Sequence, residues 1–394
     1  MSHDIYIIDG ARTAIGTFGG SLASQTPTAL ATLVTREAMS RSDVDPSAIG
    51  HVVFGHVINT EPRDMYLARV ASIDAGIPQE TPAMNVNRLC GSGAQAVVSA
   101  AQHLMLGDAD IAIAGGSEVM SRSPHATSTI RFGQKMGDVS VTDMMLGALS
   151  DPFGAGHMGV TAENVAAENA ISREQQDQFA AESQRRAIAA IEAGYFNSQI
   201  VPVDVKVRRD TISFDTDEHP KAGTTVESLA KLRAAFKKEG SVTAGNASGI
   251  NDGAAAMVLA SAAGVEKHAL KPRARLLGYA HAGVRPDIMG MGPVPAVSKL
   301  LEKLGMSHQQ FDVIESNEAF AAQACAVNQS LGLDTGKVNP NGGAIALGHP
   351  VGATGAIITI KALNELERTD GQFGLITMCI GGGQGIALAV ERLR

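Results

Sequence analysis

One pattern of strands and helices occurs twice in the chain, and this repetition is the strongest constraint on its fold. Apolar segments at 49–55 and 109–116 flank one helical segment, and similar segments at 311–317 and 375–383 flank another. Short apolar strands that alternate with amphipathic helices are typical of α/β layers. The pattern therefore predicts an α/β fold that is built from two similar halves.

Each of these helical segments follows a reactive side chain. Cys90 precedes GSGAQAVVSAAQHLMLG, and His349 precedes PVGATGAIITIKALNEL. Both segments carry a glycine three residues on, Gly93 and Gly352. We expect Cys90 and His349 to occupy equivalent positions in the two halves, where related helix starts converge and a Cys–His pair forms an activated nucleophile. A helix N-terminus should also lower the pKa of the Cys90 thiol.

The segment TMCIGGGQG, residues 377–385, places Cys379 just before three consecutive glycines. A glycine loop that binds phosphate leads into a helix. Here the following residues, GIALAVE, form an apolar run that predicts a strand. We therefore expect a turn between two strands, with Cys379 at its edge and bare N–H groups that can stabilise an oxyanion.

Other segments allow weaker interpretations. GSGAQA at 91–96 fits the dinucleotide-binding pattern G-x-G-x-x-A, but no N-terminal βαβ unit places it at the first crossover. Asn317 ends a predicted strand and precedes a helix, as a helix N-cap does. Cys325 lies inside that helix among alanines, and we interpret it as a core residue.

Residues 121–248 are more polar and lose the α/β rhythm. Within them, 171–194 predicts a helix that begins at a capping box formed by Ser172 and Gln175 and stops near Gly194. Basic residues follow, and they indicate either a solvated face or a site for a polyphosphate ligand. They are Arg208, Arg209, Lys221, Lys231, Arg233, Lys237 and Lys238.

Composition excludes several classes of protein. Three cysteines make neither a disulfide framework nor a CxxC zinc site, and a net charge of −8 leaves no basic footprint for nucleic acid. The N-terminus lacks the features of a signal peptide, and the most apolar stretch, 253–265, is too short to span a bilayer. We expect a soluble cytoplasmic protein without nucleic-acid or membrane partners.

Four motifs, NRLCGSG, NEAF, GHP and CIGGG, together resemble those of the thiolase family in their order and separations. HMGVTAENVA and TAGNASGINDGAAA extend the similarity, which covers essentially the whole chain. In finer detail, HVVFGHVINTEPRDMYLARVA and MMLGALSDPF look most like bacterial β-ketothiolases associated with polyhydroxyalkanoate synthesis.

The resemblance implies a thiolase-like five-layered αβαβα fold with two duplicated halves and an inserted loop domain. We assign 1–120 with 249–270 to the N-terminal half, 121–248 to the loop domain and 271–394 to the C-terminal half. The loop domain would hold coenzyme A, and residues 121–143 would assemble a homotetramer, a dimer of dimers. No metal and no permanently bound cofactor is expected; coenzyme A thioesters would be the substrates.

The implied activity is that of an acetyl-CoA C-acetyltransferase, which condenses two acyl-CoA molecules reversibly through an acyl-cysteine. A degradative 3-ketoacyl-CoA thiolase with a preference for longer chains is the alternative. A non-catalytic acyl-CoA-binding relative is disfavoured because both cysteines, His349 and Asn317 are all present.

The resemblance also implies roles for single residues. Cys90 would be the nucleophile, His349 would take its proton, and Cys379 would deprotonate the second acyl-CoA. His349 and a water held by Asn317 would face the thioester oxygen, and the N–H groups of Cys90 and Gly381 would face the acyl-enzyme oxygen. Coenzyme A would contact His157 and Ser248 and a tunnel formed by Met158, Phe236, Ala244, Met289, Ala319 and Phe320. Lys221 lies where related enzymes often have arginine beside the nucleotide, and lysine keeps the charge but lacks the planar stacking of arginine.

Overall fold

The computed structural model describes residues 4–393. Residues 1–3 and 394, which the predicted domain bounds include, lie outside the described residues. The strands are β1 Ile5–Arg12, β2 Gly16–Thr17, β3 His51–Gly55, β4 Ala83–Val86, β5 Ile111–Val119, β6 His125–Ala126, β7 Thr142–Asp143, β8 Ser150–Asp151, β9 Gly156–His157, β10 Val203–Val207, β11 Asp210–Phe214, β12 Asn251–Ser261, β13 Ala274–Gly283, β14 Val313–Ser316, β15 Phe373–Ile380 and β16 Gln384–Arg392. The α-helices are α1 Pro27–Arg41, α2 Leu67–Asp74, α3 Ser92–Leu106, α4 Met144–Ala148, α5 Met158–Glu168, α6 Arg173–Glu192, α7 Val226–Ala230, α8 Ala262–Lys267, α9 Pro293–Leu304, α10 Ala321–Leu331, α11 Ala344–Leu347 and α12 Thr354–Thr369.

The strands repeat one topology in the two halves of the chain. In the first half the order is β1-β12-β5-β3-β4, and in the second half it is β13-β16-β15-β14. Both runs begin with two antiparallel pairings and continue with a parallel one. A parallel bridge from Ile314 to Val338 takes the place of β4 in the second half. The predicted α/β duplication is therefore confirmed in the order and direction of the strands.

Helices form three layers around the strands. α1 packs on β12, β1 and β5 of the first half, and α9 packs on β13 and β16 of the second. Between the halves, α3 contacts β5 and β3 while α12 contacts β15 and β14, and the two helices contact each other. The result is the predicted αβαβα arrangement, with the halves also joined by a short antiparallel pairing of β1 with β13.

The two central helices meet in a register that differs from the predicted one. Gly93 is the second residue of α3, and its counterpart in α12 is Gly355, not Gly352. A Cβ on Gly93 would lie 2.7 Å from the backbone nitrogen of Ala356, and a Cβ on Gly355 would lie 2.1 Å from that of Ala94. Only residues without side chains allow the helix starts to approach this closely.

The inserted segment carries the predicted helix. The hydroxyl of Ser172 accepts from the N–H of Gln175, whose side chain accepts in return from the N–H of Ser172. The capping box is thereby confirmed at the start of α6, and Gly194 with φ 72° follows its end. The division of the chain at residues 120 and 248 stays a prediction.

A buried ion pair attaches this segment to the first half. The guanidinium of Arg12 in β1 binds both carboxylate oxygens of Asp217 at 2.7 and 2.9 Å. Both side chains are fully buried, so the bidentate geometry must offset their loss of hydration. Within residues 4–393, no helix has both the length and the apolar character needed to cross a membrane.

Candidate active site

Cys90 lies in the tight turn between β4 and α3. The preceding residue, Leu89, has φ 44°, a left-handed conformation that is uncommon for a branched side chain. The hydroxyl of Ser92 stabilises the turn, because it donates to the carbonyl of Leu89 at 2.7 Å and accepts from the N–H of Arg88 at 2.9 Å. The strained turn presents the Cys90 thiol beyond the start of the helix.

The expected activation of this thiol by the helix N-terminus is wrong for the unliganded chain. Burial raises the pKa of the Cys90 thiol, and hydrogen bonds from the N–H groups of Gly381 and Cys90 oppose that effect without reversing it. Desolvation of a thiolate outweighs the partial charge of the helix end. Cys90 is therefore a neutral thiol at rest, and it needs a base when it reacts.

His349 supplies a base in the second half of the chain. Its ring is buried, and Nδ1 lies 2.7 Å from the hydroxyl oxygen of Thr354 while Nε2 lies 3.5 Å from the side-chain nitrogen of Asn317. Its backbone N–H donates to Oδ1 of Asn251 at 2.9 Å. Burial lowers the pKa of His349 to about 4, so the imidazole is neutral at pH 7.

Asn317 does not cap a helix, contrary to one interpretation of its position. β14 ends at Ser316 and α10 begins only at Ala321, where Phe320 occupies the N-cap position. The N–H of Asn317 donates to the carbonyl of Thr377 at 3.0 Å, which ties the loop to β15. Its side-chain oxygen is buried and has no hydrogen-bond partner in the protein. The amide is therefore available for a ligand or a water.

Cys379 is the last but one residue of β15 and is fully buried. The predicted turn between two strands is confirmed: β16 begins at Gln384, after Gly382 and Gly383 with φ 82° and 85°. Burial raises the pKa of Cys379, and a negative charge on Cys90 would raise it further. Since the N–H of Gly381 also reaches the Cys90 thiol, the glycine turn lies directly across from Cys90.

Two positions near these side chains were missed by sequence reasoning. Glu118 in β5 is fully buried, and its carboxylate accepts from the N–H groups of Val57, Ile58 and Gly352. It therefore links the loop that carries His349 to the first half. A lone acid in the apolar run IAIAGGSEVM was the available signal. Thr354, in the first turn of α12, had no comparable signal.

His349 and Cys90 do not occupy equivalent places relative to the central helices. Cys90 lies two residues before α3, whereas His349 lies five residues before α12. The predicted equivalence is wrong because three more residues separate His349 from its helix. A Cβ on Gly55 would lie 2.6 Å from the Gly352 carbonyl oxygen, so backbone contact between the halves still brings the two loops together.

Several residues predicted to contact coenzyme A surround Cys379. The cluster of buried side chains that includes Cys379 also contains Met158, Met289, Ala319 and Phe320. The ring of Phe236 stacks on His157 with centroids 4.7 Å apart and meets Phe320 edge-on at 6.2 Å. Burial lowers the pKa of His157, which favours the neutral ring. The N–H of Ser248 donates to the carbonyl of Ala319 at 2.9 Å.

Two other predicted residues line a separate cavity of about 370 Å³. Lys221 and Ala244 share its wall with His219, Ser228 and Leu229. All seven cations of the predicted basic cluster are exposed, and of these Lys221 is the one that lines this cavity. The structure brings Met158, Phe236, Met289, Ala319 and Phe320 of the predicted tunnel to the cluster of Cys379, and leaves Ala244 with Lys221 at this second location.

Cys325 is half-buried rather than fully in the core. It packs against the cluster around Cys379 and also lines a cavity of about 620 Å³ between α6 and α10. Burial raises the pKa of its thiol to about 12, so this thiol is neutral at pH 7. Among residues 4–393, no three His, Cys, Asp or Glu side chains are grouped closely enough to hold a metal ion.

Comparison with known proteins covers the whole described chain. The family model "Thiolase, N-terminal domain" matches residues 5–263, and "Thiolase, C-terminal domain" matches residues 270–392. The chain is 59% identical to beta-ketothiolase BktB of Cupriavidus necator and 51% identical to an acetyl-CoA acetyltransferase of Allochromatium vinosum, in each case over 100% of both chains. The crystal structure of human mitochondrial 3-ketoacyl-CoA thiolase in complex with CoA superposes with a TM-score of 0.96 at 44% identity, covering 99% of this chain and 98% of the other.

Proposed function

Since the chain belongs to the thiolase family, we propose that it is an acetyl-CoA C-acetyltransferase of the β-ketothiolase type. It joins two acyl-CoA molecules into a 3-ketoacyl-CoA and releases coenzyme A. The observation that carries this proposal is the meeting of two thiols at the Gly381 turn, beside His349 and Asn317. One thiol can hold an acyl group while the other removes a proton from carbon, which is the minimum that a Claisen condensation needs.

The first half-reaction forms the acyl-enzyme. Nε2 of His349 takes the proton of Cys90, and the thiolate attacks the carbonyl carbon of an acyl-CoA. The N–H of Gly381, which is close enough to Cys90 to lower the pKa of its thiol, stabilises the oxyanion that develops there. The carbon–sulfur bond to coenzyme A breaks, and the departing thiolate takes the proton of Cys379.

The second half-reaction uses the Cys379 thiolate and the protonated His349 that the first half-reaction has formed. The thiolate of Cys379 removes a proton from the carbon next to the carbonyl of a second acyl-CoA. The protonated His349 and a water on Asn317 donate hydrogen bonds to the enolate oxygen. The carbanion attacks the acyl group on Cys90, whose thiolate leaves and regains its proton from His349. Both thiols and the neutral imidazole return to their resting state.

Stabilisation of the enolate is the most demanding part of this reaction, because the carbon next to a thioester carbonyl is a far weaker acid than a thiol. Each preorganised donor contributes roughly 3–4 kcal/mol in comparable oxyanion sites. The unpartnered side-chain oxygen of Asn317 supports the proposal, since a buried amide oxygen without a partner can hold the water that donates to the enolate.

Coenzyme A would approach Cys379 through the cluster of Met158, Met289, Ala319 and Phe320. His157 stacked on Phe236 would contact the pantetheine, together with Ser248. The nucleotide end would reach the cavity of Lys221 and Ala244, where one exposed ammonium group meets a phosphate. Neither half-reaction draws on a resident metal or cofactor.

Assembly and location complete the proposal. We infer a homotetramer, since apolar side chains of the segment 130–146 face solvent in the single chain, among them Ile130, Phe132, Met136, Met144 and Leu146. A patch of this kind marks a protein interface. We also propose a cytoplasmic location, the three-domain division given above and a place beside the bacterial β-ketothiolases of polyhydroxyalkanoate synthesis.

Intact-protein mass spectrometry after incubation with acetyl-CoA tests the reaction. We expect one acetyl group on the wild-type chain and on the Cys325→Ala variant, and none on Cys90→Ala. An acetyl adduct that persists in Cys90→Ala would remove the nucleophile from this proposal, and an unmodified wild-type chain would contradict the function itself.

The alternative is a degradative 3-ketoacyl-CoA thiolase, which performs the same chemistry on longer chains. Rates of thiolysis for 3-ketoacyl-CoA substrates of increasing chain length separate the two activities. A maximum at short chains supports the β-ketothiolase, whereas a maximum at long chains favours the alternative.

A further inference from the structure

His349 has a buried hydrogen-bonded partner at Nδ1, the ring nitrogen that does not face Asn317. Nδ1 of the ring lies 2.7 Å from the hydroxyl oxygen of Thr354, and that oxygen lies 2.9 Å from the carbonyl oxygen of Pro350. His349 is 5% exposed and Thr354 is 2% exposed, so water does not compete for these bonds.

The positions of the two oxygens determine where the hydrogens lie. A carbonyl oxygen carries no hydrogen, and two oxygens 2.9 Å apart repel each other unless a hydrogen lies between them. The single hydroxyl hydrogen of Thr354 must therefore point to Pro350. With that hydrogen engaged, Thr354 can only accept from the imidazole, so the ring proton lies on Nδ1.

This arrangement agrees with the groups on the other side of the ring. With its proton on Nδ1, His349 presents a bare Nε2, which is the state that can accept from the amide nitrogen of Asn317 at 3.5 Å. The opposite tautomer would point Nε2–H at that donor. The same tautomer is the one that can take a proton from a thiol.

We propose that Thr354 is a positioning residue that holds His349 with its proton on Nδ1, so that Nε2 is free to take the proton of Cys90. The role rests on the proposed function, because it assigns a task within the first half-reaction. The bond from Nδ1–H to the hydroxyl persists when His349 becomes protonated, so the ring keeps its orientation through both half-reactions.

A hydroxyl at this place differs from the carboxylate that orients many catalytic histidines. A carboxylate would hold the proton on the imidazole by charge, whereas a neutral hydroxyl fixes the tautomer without that attraction. His349 can thus return its proton to Cys90 at the end of the cycle.

The chain offers a matched control in the same helix. Thr359 in α12 is also fully buried, and its hydroxyl donates to the carbonyl of Gly355, four residues back, at 2.8 Å. Thr354 makes the same backbone bond to Pro350 and differs by its contact with His349. The variants are Thr354→Val, Thr354→Ser and Thr359→Val.

Solid-state ¹⁵N NMR of the full chain with labelled histidine reads the tautomer directly, with the His349→Asn spectrum as the assignment reference. We expect protonated Nδ1 and bare Nε2 in the wild type, in Thr354→Ser and in Thr359→Val, and loss of this pattern in Thr354→Val. A wild-type signal with the proton on Nε2, or an unchanged pattern in Thr354→Val, would overturn the proposal. This measurement on the resting chain stands even if acetylation of Cys90 fails.

Kinetics provide the second readout. In Thr354→Val, acetylation of Cys90 should slow on the order of 10- to 100-fold, by analogy with the loss on removing a partner that orients a metal-binding histidine. Thr354→Ser should acetylate at close to the wild-type rate. Thr359→Val should acetylate at the wild-type rate even though it loses as much thermal stability as Thr354→Val. Equal slowing in Thr354→Val and Thr359→Val would show that only the helix is affected, and would contradict the proposal.

Discussion

The side-chain nitrogen of Asn317 lies 3.5 Å from Nε2 of His349, and in the proposed site this pair faces the thiols of Cys90 and Cys379. Asn317 follows β14 and His349 precedes α12, so two separate loops of the second half meet here. Cys90 reaches the same place from the first half. The relation between these side chains leads to the following expectations.

Asn317→Ala should impair condensation far more than acylation. Removal of one donor from an oxyanion site typically lowers kcat by about 10²–10³. The rate of condensation of acetyl-CoA should fall by that factor, while acetylation of Cys90 stays within a few-fold of wild type. Asn328→Ala, at a buried asparagine in α10, is the control. Equal losses in both half-reactions would argue against a role confined to the enolate.

Cys379→Ala should still form acetyl-Cys90, because His349 can return its proton to the departing coenzyme A. Condensation should be undetectable, since the variant lacks the thiol that removes the carbon proton in the proposed second half-reaction. Coupled assays for thiolysis and mass spectrometry of the acyl-enzyme measure the two steps. Cys325→Ala, which changes a half-buried thiol nearby, should behave as wild type. Condensation at the normal rate in Cys379→Ala would disprove the assignment of the base.

Gly355→Ala should separate the two central helices. Its Cβ would lie 2.1 Å from the backbone nitrogen of Ala94, and this contact cannot be relieved by rotating a side chain. We expect a loss of about 3 kcal/mol in the free energy of unfolding. Displacement of Cys90 from His349 by about 1 Å would cost roughly 100-fold in kcat.

Differential scanning calorimetry and steady-state assays at 25 °C measure these two effects. Gly147→Ala in α4 is the matched control, because a Cβ there meets nothing within 4 Å. Wild-type activity in Gly355→Ala would show that the site does not depend on the close approach of the helices.

The pH dependence of the free energy of unfolding should show the raised pKa of Asp252. Burial raises the pKa of this carboxyl from 3.8 to about 6, although the hydroxyl and N–H of Ser121 donate to it. The folded chain therefore binds a proton that the unfolded chain releases between these two pH values. Stability falls as pH rises through this window, and the contribution of Asp252 is lost above about pH 6.

Asp252→Asn removes that contribution. From pH 4.5 to pH 7.5 the free energy of unfolding of the variant, relative to wild type, should rise by about 2 kcal/mol. The corresponding gain in Tm is about 2 °C for a chain of this size. All other groups titrate in both proteins, so the difference isolates Asp252. A Tm difference that is independent of pH would contradict the raised pKa.

Phe132→Ser combined with Met136→Ser should weaken the proposed tetramer. These side chains are 90% and 89% exposed in the single chain, and each would lose roughly 1.5–3 kcal/mol of apolar burial per copy in an interface. Sedimentation velocity should show dimers with kcat within a few-fold of wild type. Leu106→Ser, at a residue that is 79% exposed on α3, should leave the tetramer intact. A wild-type chain that sediments as a monomer would end this proposal.

Apolar periodicity predicted most of the fold. Strands form around 49–55, 109–116, 311–317 and 375–383, as predicted. Apolar segments buried between helices pair their backbone N–H and C=O groups by joining a sheet. The capping box at Ser172 is local chemistry and was equally predictable. The glycine turn after Cys379 followed from the strand on its far side.

The errors arose where a property depends on three-dimensional surroundings. The pKa of Cys90 follows from burial by elements of both halves, which a helix N-terminus in the sequence does not reveal. The register of the central helices depends on which glycine of 352–355 meets α3, and the sequence offers two. Thr354 contacts His349 across the four loop residues 350–353, a separation that no helical or strand spacing encodes.

The division of the proposed reactive groups between the two halves has a consequence for how the protein loses activity. In the proposed mechanism the nucleophile Cys90 belongs to one half, and His349, Cys379 and Asn317 belong to the other. Every fluctuation that separates α3 from α12 should stop the proposed reaction while the strand pairings within each half persist. On heating, inactivation should therefore precede the loss of secondary structure, and the remaining activity should report how much of the protein still has α3 and α12 in contact.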